Sequence, residues 1–122
     1  MVIVSTSGKR LLELTGPLQG SDLSHFELSS ARFDALDTEG TDLSGAQLAS
    51  ASFADANAAN SRFVGANMEG ANLMGACLDS TDLTEADLYW CLAQGAEFCG
   101  ARLVNAVLGG QTLRVLTSRV QI

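Results

Sequence analysis

The sequence predicts an all-β chain that turns at regular intervals, and three observations carry this prediction. From Gly16 to Val115 the 122-residue chain divides into twenty consecutive groups of five, with no insertion or deletion. The third residue is Leu, Phe or Met in seventeen of the twenty groups, and the first is Ala, Ser, Thr, Gly or Cys in seventeen. Gly, Ser, Asn, Asp or His, which tolerate turn conformations, fill sixteen of the fifth positions. A period of five fits neither a helix nor a plain strand, so each group is a short strand followed by a corner.

The five positions of each group have predictable orientations. Because strand side chains alternate, positions one and three face one side and positions two and four face the other. The large third residue fills the centre, and the small first residue lets the chain turn without a clash. Thr38 and Ala58 leave this interior short of side-chain volume, while Leu36 stands where a small residue is usual. We expect Leu36 to turn inward and fill the space that Thr38 leaves.

Groups such as Ala66-Asn67-Met68-Glu69-Gly70 and the one that follows it resemble the pentapeptide-repeat family. The fold of that family is a right-handed quadrilateral parallel β-helix, a solenoid with four pentads in each coil. The resemblance therefore implies about five coils over residues 16–115. Residues 1–15 are then an N-terminal cap, and residues 116–122 are a C-terminal strand or cap.

The two ends of the repeat differ in how well they are covered. Residues 1–15 read as a strand or short hairpin over the first coil. Residues 113–122 are rich in strand formers and contain neither Gly nor Pro, so the C-terminal end looks open. We expect a homodimer joined near this end, with Leu116 and Val120 in the interface.

Composition excludes several classes of function. Fourteen acidic against seven basic residues give a net charge of −7, which argues against nucleic-acid binding and against binding to an anionic membrane. No nucleophile, base and orienting group converge, so the sequence predicts neither an enzyme nor a cofactor. Cys77, Cys91 and Cys99 lack metal-ligand spacing; we expect Cys91 in the core and the other two as free thiols. A reducing bacterial cytoplasm fits these cysteines best.

With twenty residues per coil, outward side chains sort into four faces. The face built on Leu18, Thr38, Ala58, Leu78 and Phe98 is predicted to be acidic, through Asp37, Glu39, Asp79 and Glu97. On the next face, Asp82 lies between Arg62 and Arg102, an arrangement typical of a self-neutralising ladder.

Tyr89, Trp90 and Leu92 are the candidate partner-contact residues. They fall at outward or corner positions, which this chain otherwise fills with small or polar residues. Exposed aromatic residues near acids are typical of interfaces, although a Trp often only covers a corner.

Three functions remain open. The first is a structural or protein-interaction module with an unknown protein partner. The second is an acidic DNA mimic that binds a type II topoisomerase such as gyrase, as some members of the resembled family do. Five coils would make a rod of roughly 24 Å, about seven base pairs of DNA, so mimicry requires the dimer. The third is a passive repeat segment without a partner.

Overall fold

The computed structural model describes residues 1–110 and Thr112. It begins with an antiparallel hairpin of β1 (Val2–Val4) and β2 (Arg10–Glu13). The hairpin joins the repeat through backbone hydrogen bonds from Arg32 to Val4, at 2.8 Å, and from Thr6 to Ser30, also at 2.8 Å. Ile3 is buried with the repeat's core residues, so the hairpin and the first coil share one core.

Residues twenty apart stack on each other throughout the repeat. Parallel bridges link Asp22 to Asp42, Asp42 to Arg62, and onward at the same spacing to the bridge between Asp87 and Val107. Four groups of five therefore make one turn of the coil. Among the described residues, no helix is long and apolar enough to cross a membrane.

The interior follows the predicted alternation of large and small residues. Every third-position side chain from Leu18 to Leu103 is buried, and the small first-position residues from Ala31 to Ala96 are buried between them. Phe33 stacks on Phe53 with ring centroids 4.7 Å apart, and Phe53 meets the edge of Phe63 at 5.8 Å. Burial of these side chains supplies most of the driving force for folding.

Two large first-position residues depart from this pattern because the slot fits only a small side chain. Phe26 is exposed. Leu36 is partly buried and packs against the core, so it turns towards the interior without being enclosed there. Thr38 itself is fully buried, and its hydroxyl donates a hydrogen bond to the carbonyl of Asn57 at 3.2 Å.

The corners of the coil require a left-handed backbone. All nineteen fifth positions from residue 20 to residue 110 have φ between 54° and 76°. Ten of these corners are not glycine, and three of the ten, Ala35, Glu85 and Trp90, are residue types that favour this region little.

Second-position side chains complete the backbone hydrogen bonding of the coil. Third- and fifth-position N–H groups donate to the next coil, second-position groups to the previous coil, and first-position groups within the turn. The fourth-position N–H is left over, and in nine groups it donates to the side chain two residues earlier, for example Ser24 to Asp22 at 3.0 Å and Ala59 to Asn57 at 3.2 Å. Six acidic residues accept such a bond: Asp22, Glu27, Asp37, Asp42, Asp82 and Asp87. Much of the acidic surface thus has a role in the fold.

The C-terminal end departs from the expected alternation at Thr112. This second-position residue is buried, and its hydroxyl donates to the carbonyl of Cys91 at 2.8 Å. The predicted dimer residues Leu116 and Val120, like the predicted strand or cap over 116–122, lie outside the described residues.

Candidate functional site

Trp90 stands at a left-handed corner with its ring in solvent. Its φ is 63° and its exposed fraction is 63%. The residues above and below it in the same corner column are Gly110 and Gly70, for which this backbone conformation is easy. The chain therefore presents its single tryptophan where the fold itself favours glycine.

Tyr89 supports the Trp90 ring from the side. The two ring centroids are 5.0 Å apart, and the rings meet edge to face. The Tyr89 ring also lies across the backbone of Gly109 in the next coil, where an added Cβ atom would clash with the Tyr89 Cε2 atom. This contact had no counterpart in the sequence prediction, although the twenty-residue register does align position 89 with position 109. Tyr89 therefore covers the backbone of Gly109, while part of its side chain stays exposed to solvent.

Further apolar side chains extend this aromatic pair. The exposed fractions are 41% for Leu92, 43% for Met74 and 49% for Val107. Leu92 follows Trp90 by two residues in the same coil, Val107 stacks on Asp87 in the next coil, and Met74 lies in the preceding coil, two residues after the Asn72 that stacks on Leu92. We call the exposed side chains of Met74, Tyr89, Trp90, Leu92 and Val107 the Trp90 surface. Sequence analysis assigned Tyr89, Trp90 and Leu92 to one site, and the structure adds Met74 and Val107.

Acidic side chains border the Trp90 surface. The register places Glu69 directly below Tyr89, about 4.8 Å away in the stacking direction. Asp87 lies two residues before Tyr89 and accepts its N–H at 3.0 Å, and Glu85 occupies the preceding corner. Within the described range, residues 26–30, 46–50, 66–70, 86–90 and 106–110 of this face contain no Lys or Arg. On the face that carries Tyr89, the charged side chains of the described residues are thus all acidic.

The predicted acidic face contains two separate pairs of acids. Asp37 and Glu39 are exposed, and the Asp37 carboxylate accepts hydrogen bonds from the side chains of Gln19 and Asn57 at 3.1 and 3.3 Å. The coil that carries Asn57 separates this pair from Asp79 and Glu97, which lie in the later coils of the same face. The negative charge of the face is therefore interrupted.

Cys77 joins Asp79 and Glu97 in a cluster that sequence analysis did not assemble. One ligand atom from each side chain lies within 4.8 Å of the other two, so a thiol and two carboxylates could share a metal ion. The N–H of Asp79 stabilises the thiolate, but partial burial and the negative charges of Asp79 and Glu97 together raise the pKa of Cys77. Asp79 also accepts the N–H of Cys99 at 2.8 Å. Cys77, Cys91 and Cys99 are all free thiols, as expected, and Cys91 is buried.

The predicted charge ladder is present in register. Backbone β-bridges stack Asp82 between Arg62 and Arg102 of the neighbouring coils, while the ion pairs of the described residues lie elsewhere, at Arg10 with Glu13 and Arg32 with Asp34. The pKa of Asp82 is lowered, first by the hydrogen bond that the Thr84 hydroxyl donates at 2.6 Å and then, against some desolvation, by the Thr84 N–H and the charges of Arg102 and Arg62. The arginines are therefore a secondary influence on this carboxylate.

Comparison with known proteins identifies the repeat. The family model described as pentapeptide repeats matches residues 27–58, 41–79, 51–88 and 81–114, with eight copies. A search of curated protein sequences found no significant match.

Several solved structures are similar to this chain. QnrB1, a plasmid-mediated fluoroquinolone resistance protein, has a TM-score of 0.50 at 15% identity and covers 77% of this chain and 70% of its own. A pentapeptide repeat protein of the Arabidopsis thaliana thylakoid lumen has a TM-score of 0.47 at 24% identity, covering 84% and 74%. HetL, involved in heterocyst differentiation regulation in Nostoc, has a TM-score of 0.43 at 24% identity, and this chain spans only 49% of its length. The likeness to QnrB1 indicates a right-handed β-helix.

Proposed function

The chain belongs to the pentapeptide repeat family, and from this premise we propose that it is a non-enzymatic protein-interaction module whose partner binds at the Trp90 surface. The observation that carries the proposal is the position of Trp90. A left-handed conformation costs an L-residue about 1–2 kcal/mol, and a ring that is 63% exposed recovers little of this by burial. Folding thus gains little from Trp90, whereas a partner that covered the ring would bury a large aromatic group.

The rest of the Trp90 surface supports the same proposal. Leu92, Met74 and Val107 enlarge the apolar area around the rings, and single exposed apolar residues on a soluble protein would not be expected to gather in this way. Tyr89 is held against Gly109, so the aromatic pair presents a fixed shape. A rigid aromatic anchor is typical of a binding hot spot.

The substitution Trp90→Gly tests this proposal without threatening the fold. Glycine is the residue of this corner column at positions 70 and 110, so the variant should fold as well as the parent. Asn60→Gly is the matched control, because it makes the same backbone change at a left-handed corner that carries no aromatic ring.

The assay is capture of partners on the immobilised chain, followed by titration with the purified captured protein. We expect Trp90→Gly to weaken binding at least about tenfold, the loss of one modest hot spot, and Asn60→Gly to leave it unchanged. Equal binding by the parent and both variants would rule out the Trp90 surface as the contact.

Mimicry of DNA is the alternative function, and the net charge of −7 favours it. Two observations count against it. Six acids accept hydrogen bonds from the fourth-position backbone, which explains their presence by folding alone. The coil of Asn57 also interrupts the acidic face, whereas DNA carries phosphates at even spacing. Inhibition of gyrase supercoiling by the purified chain, retained in Trp90→Gly, would favour mimicry over the proposed module.

We also propose a cytoplasmic location. Three unpaired thiols, one of them exposed, are compatible with a reducing compartment. Measurement of the thiol content in protein isolated from its native cells would test this.

A further inference from the structure

The acids beside the Trp90 surface have no cationic partner within the described chain. Among the described residues, the ion pairs are Arg10 with Glu13 and Arg32 with Asp34, both remote from the rings. The Glu69 backbone N–H donates to the side chain of Asn67 at 3.1 Å, while no hydrogen bond or ion pair within this part of the chain engages the Glu69 carboxylate. Glu69 is exposed immediately below Tyr89.

This arrangement differs from the use of acids elsewhere on the rod. Glu69 and Glu85 are at fourth and fifth positions, so neither can cap its own group's fourth-position N–H as second-position acids do. Asp87 caps Tyr89 with one oxygen and leaves the other available. The side chains of two of the three acids around the rings therefore accept no hydrogen bond from the repeat's backbone, and the third has one carboxylate oxygen left to accept another.

We propose that the partner segment bound at the Trp90 surface is basic and places an arginine between the aromatic pair and Glu69; this inference rests on the proposed function. Arginine fits because its planar guanidinium stacks on an aromatic face and donates to a carboxylate in the same plane. The apolar side chains of Leu92 and Val107 would receive an aliphatic neighbour of that arginine. A lysine would pair with Glu69 as a point charge and stack less well.

Trp90 itself reports on binding, because it is the only tryptophan of the chain. The probe is a capped peptide of alternating arginine and leucine, titrated while the emission of Trp90 is recorded. Two further peptides replace arginine by lysine or by glutamate. We expect a saturable change of Trp90 emission with the arginine peptide, several-fold weaker binding of the lysine peptide, and no binding of the glutamate peptide.

Two charge-neutralising variants separate a local contact from the bulk charge of the rod. Glu69→Gln removes the carboxylate beside the rings, and Glu39→Gln removes one exposed fourth-position carboxylate from the opposite acidic face. Glu69→Gln should lower the affinity for the arginine peptide about tenfold, because it removes one ion pair shielded by an aromatic ring. Glu39→Gln should lower the affinity for the same peptide less than about twofold, because the Glu39 carboxylate lies more than a Debye length from the Trp90 surface.

The outcomes separate this inference from the proposed function. Equal weakening by both variants would mean that only net charge attracts the peptide, and this overturns the inference. If the glutamate peptide binds as tightly as the arginine peptide, the inference is also overturned, because an apolar contact alone would then suffice. The proposed function would still stand in that case. If no peptide changes the emission of Trp90, the inference fails, and the capture experiment with Trp90→Gly decides separately whether the module itself survives.

Discussion

Replacement of Ala35 by glycine should stabilise the protein, and this is the most direct test of how the corners control the fold. Ala35 has φ of 57° and is exposed, so its methyl group contributes little burial. Its N–H donates to the carbonyl of Ala54 at 2.8 Å, a bond that glycine keeps. The substitution therefore changes conformational energy and little else.

The expected magnitude is the difference of two effects. A left-handed backbone costs alanine about 1–2 kcal/mol relative to glycine. Glycine gains about 0.4–1 kcal/mol of additional unfolded-state entropy, which opposes the stabilisation. We therefore expect Ala35→Gly to raise the free energy of unfolding by about 0.8 kcal/mol, within a range of about 0–1.6 kcal/mol.

A second alanine provides the control with the opposite sign. Ala54 is a fourth-position residue whose φ lies outside the left-handed region. Ala54→Gly raises the conformational entropy of the unfolded state by the same amount and relieves no backbone strain, so it should lower the free energy of unfolding by about 0.4–1 kcal/mol. Urea unfolding followed by circular dichroism measures both variants. If Ala35→Gly destabilises the protein as Ala54→Gly does, the strain argument for the corners is wrong.

Two further predictions concern acid stability and thiol reactivity. Because hydrogen bonds from Thr84 lower the folded-state pKa of Asp82, ionised Asp82 stabilises the fold above its ordinary pKa near 3.8, and this stabilisation is lost as the pH falls through the lower folded-state pKa. Asp82→Asn should therefore lose less stability than the parent in urea melts between about pH 4 and pH 2, and an equal loss would contradict this. Cys99 should react first with a thiol reagent, Cys77 more slowly because its pKa is raised, and Cys91, whose burial raises its pKa to about 12, only on unfolding; a single rate for all three in the native protein would refute this order.

The repeat itself could be predicted from sequence because its period leaves few choices. Once the third and first positions are inward, the corner must be at the fifth. Four corners per coil, and with them the twenty-residue register that the bridges show, were implied by the resemblance to the pentapeptide-repeat family. Periodicity assigns a residue to a column and a face, so it placed Trp90 and Leu92 at the surface correctly. It also found Asp82 between two arginines.

Contacts between neighbouring columns could not be predicted in this way. The lean of Tyr89 over Gly109 and the approach of Cys77 to Asp79 and Glu97 depend on side-chain rotamers, which a column assignment does not specify. The partial burial of Leu36 depends on how much space one slot offers beside the core. The buried position of Thr112 marks a change that the sequence pattern, still in phase there, does not reveal.

The lean of corner side chains over the next coil has a consequence for how such a sequence can vary. The His25 ring lies where a Cβ at Gly45 would stand, and the Asp55 carboxylate occupies the same place above Gly75. His25 and Asp55 thus restrict the corners twenty residues later, whereas a Cβ at Gly65 or Gly70 would not meet the bulky residue that follows it in the column. Mutations at two such corners should therefore be accepted in a preferred order: glycine at the later position first, and the larger residue twenty residues earlier second. The two ends of the stack thus differ in how substitutions affect their neighbours, although the backbone is nearly uniform along it.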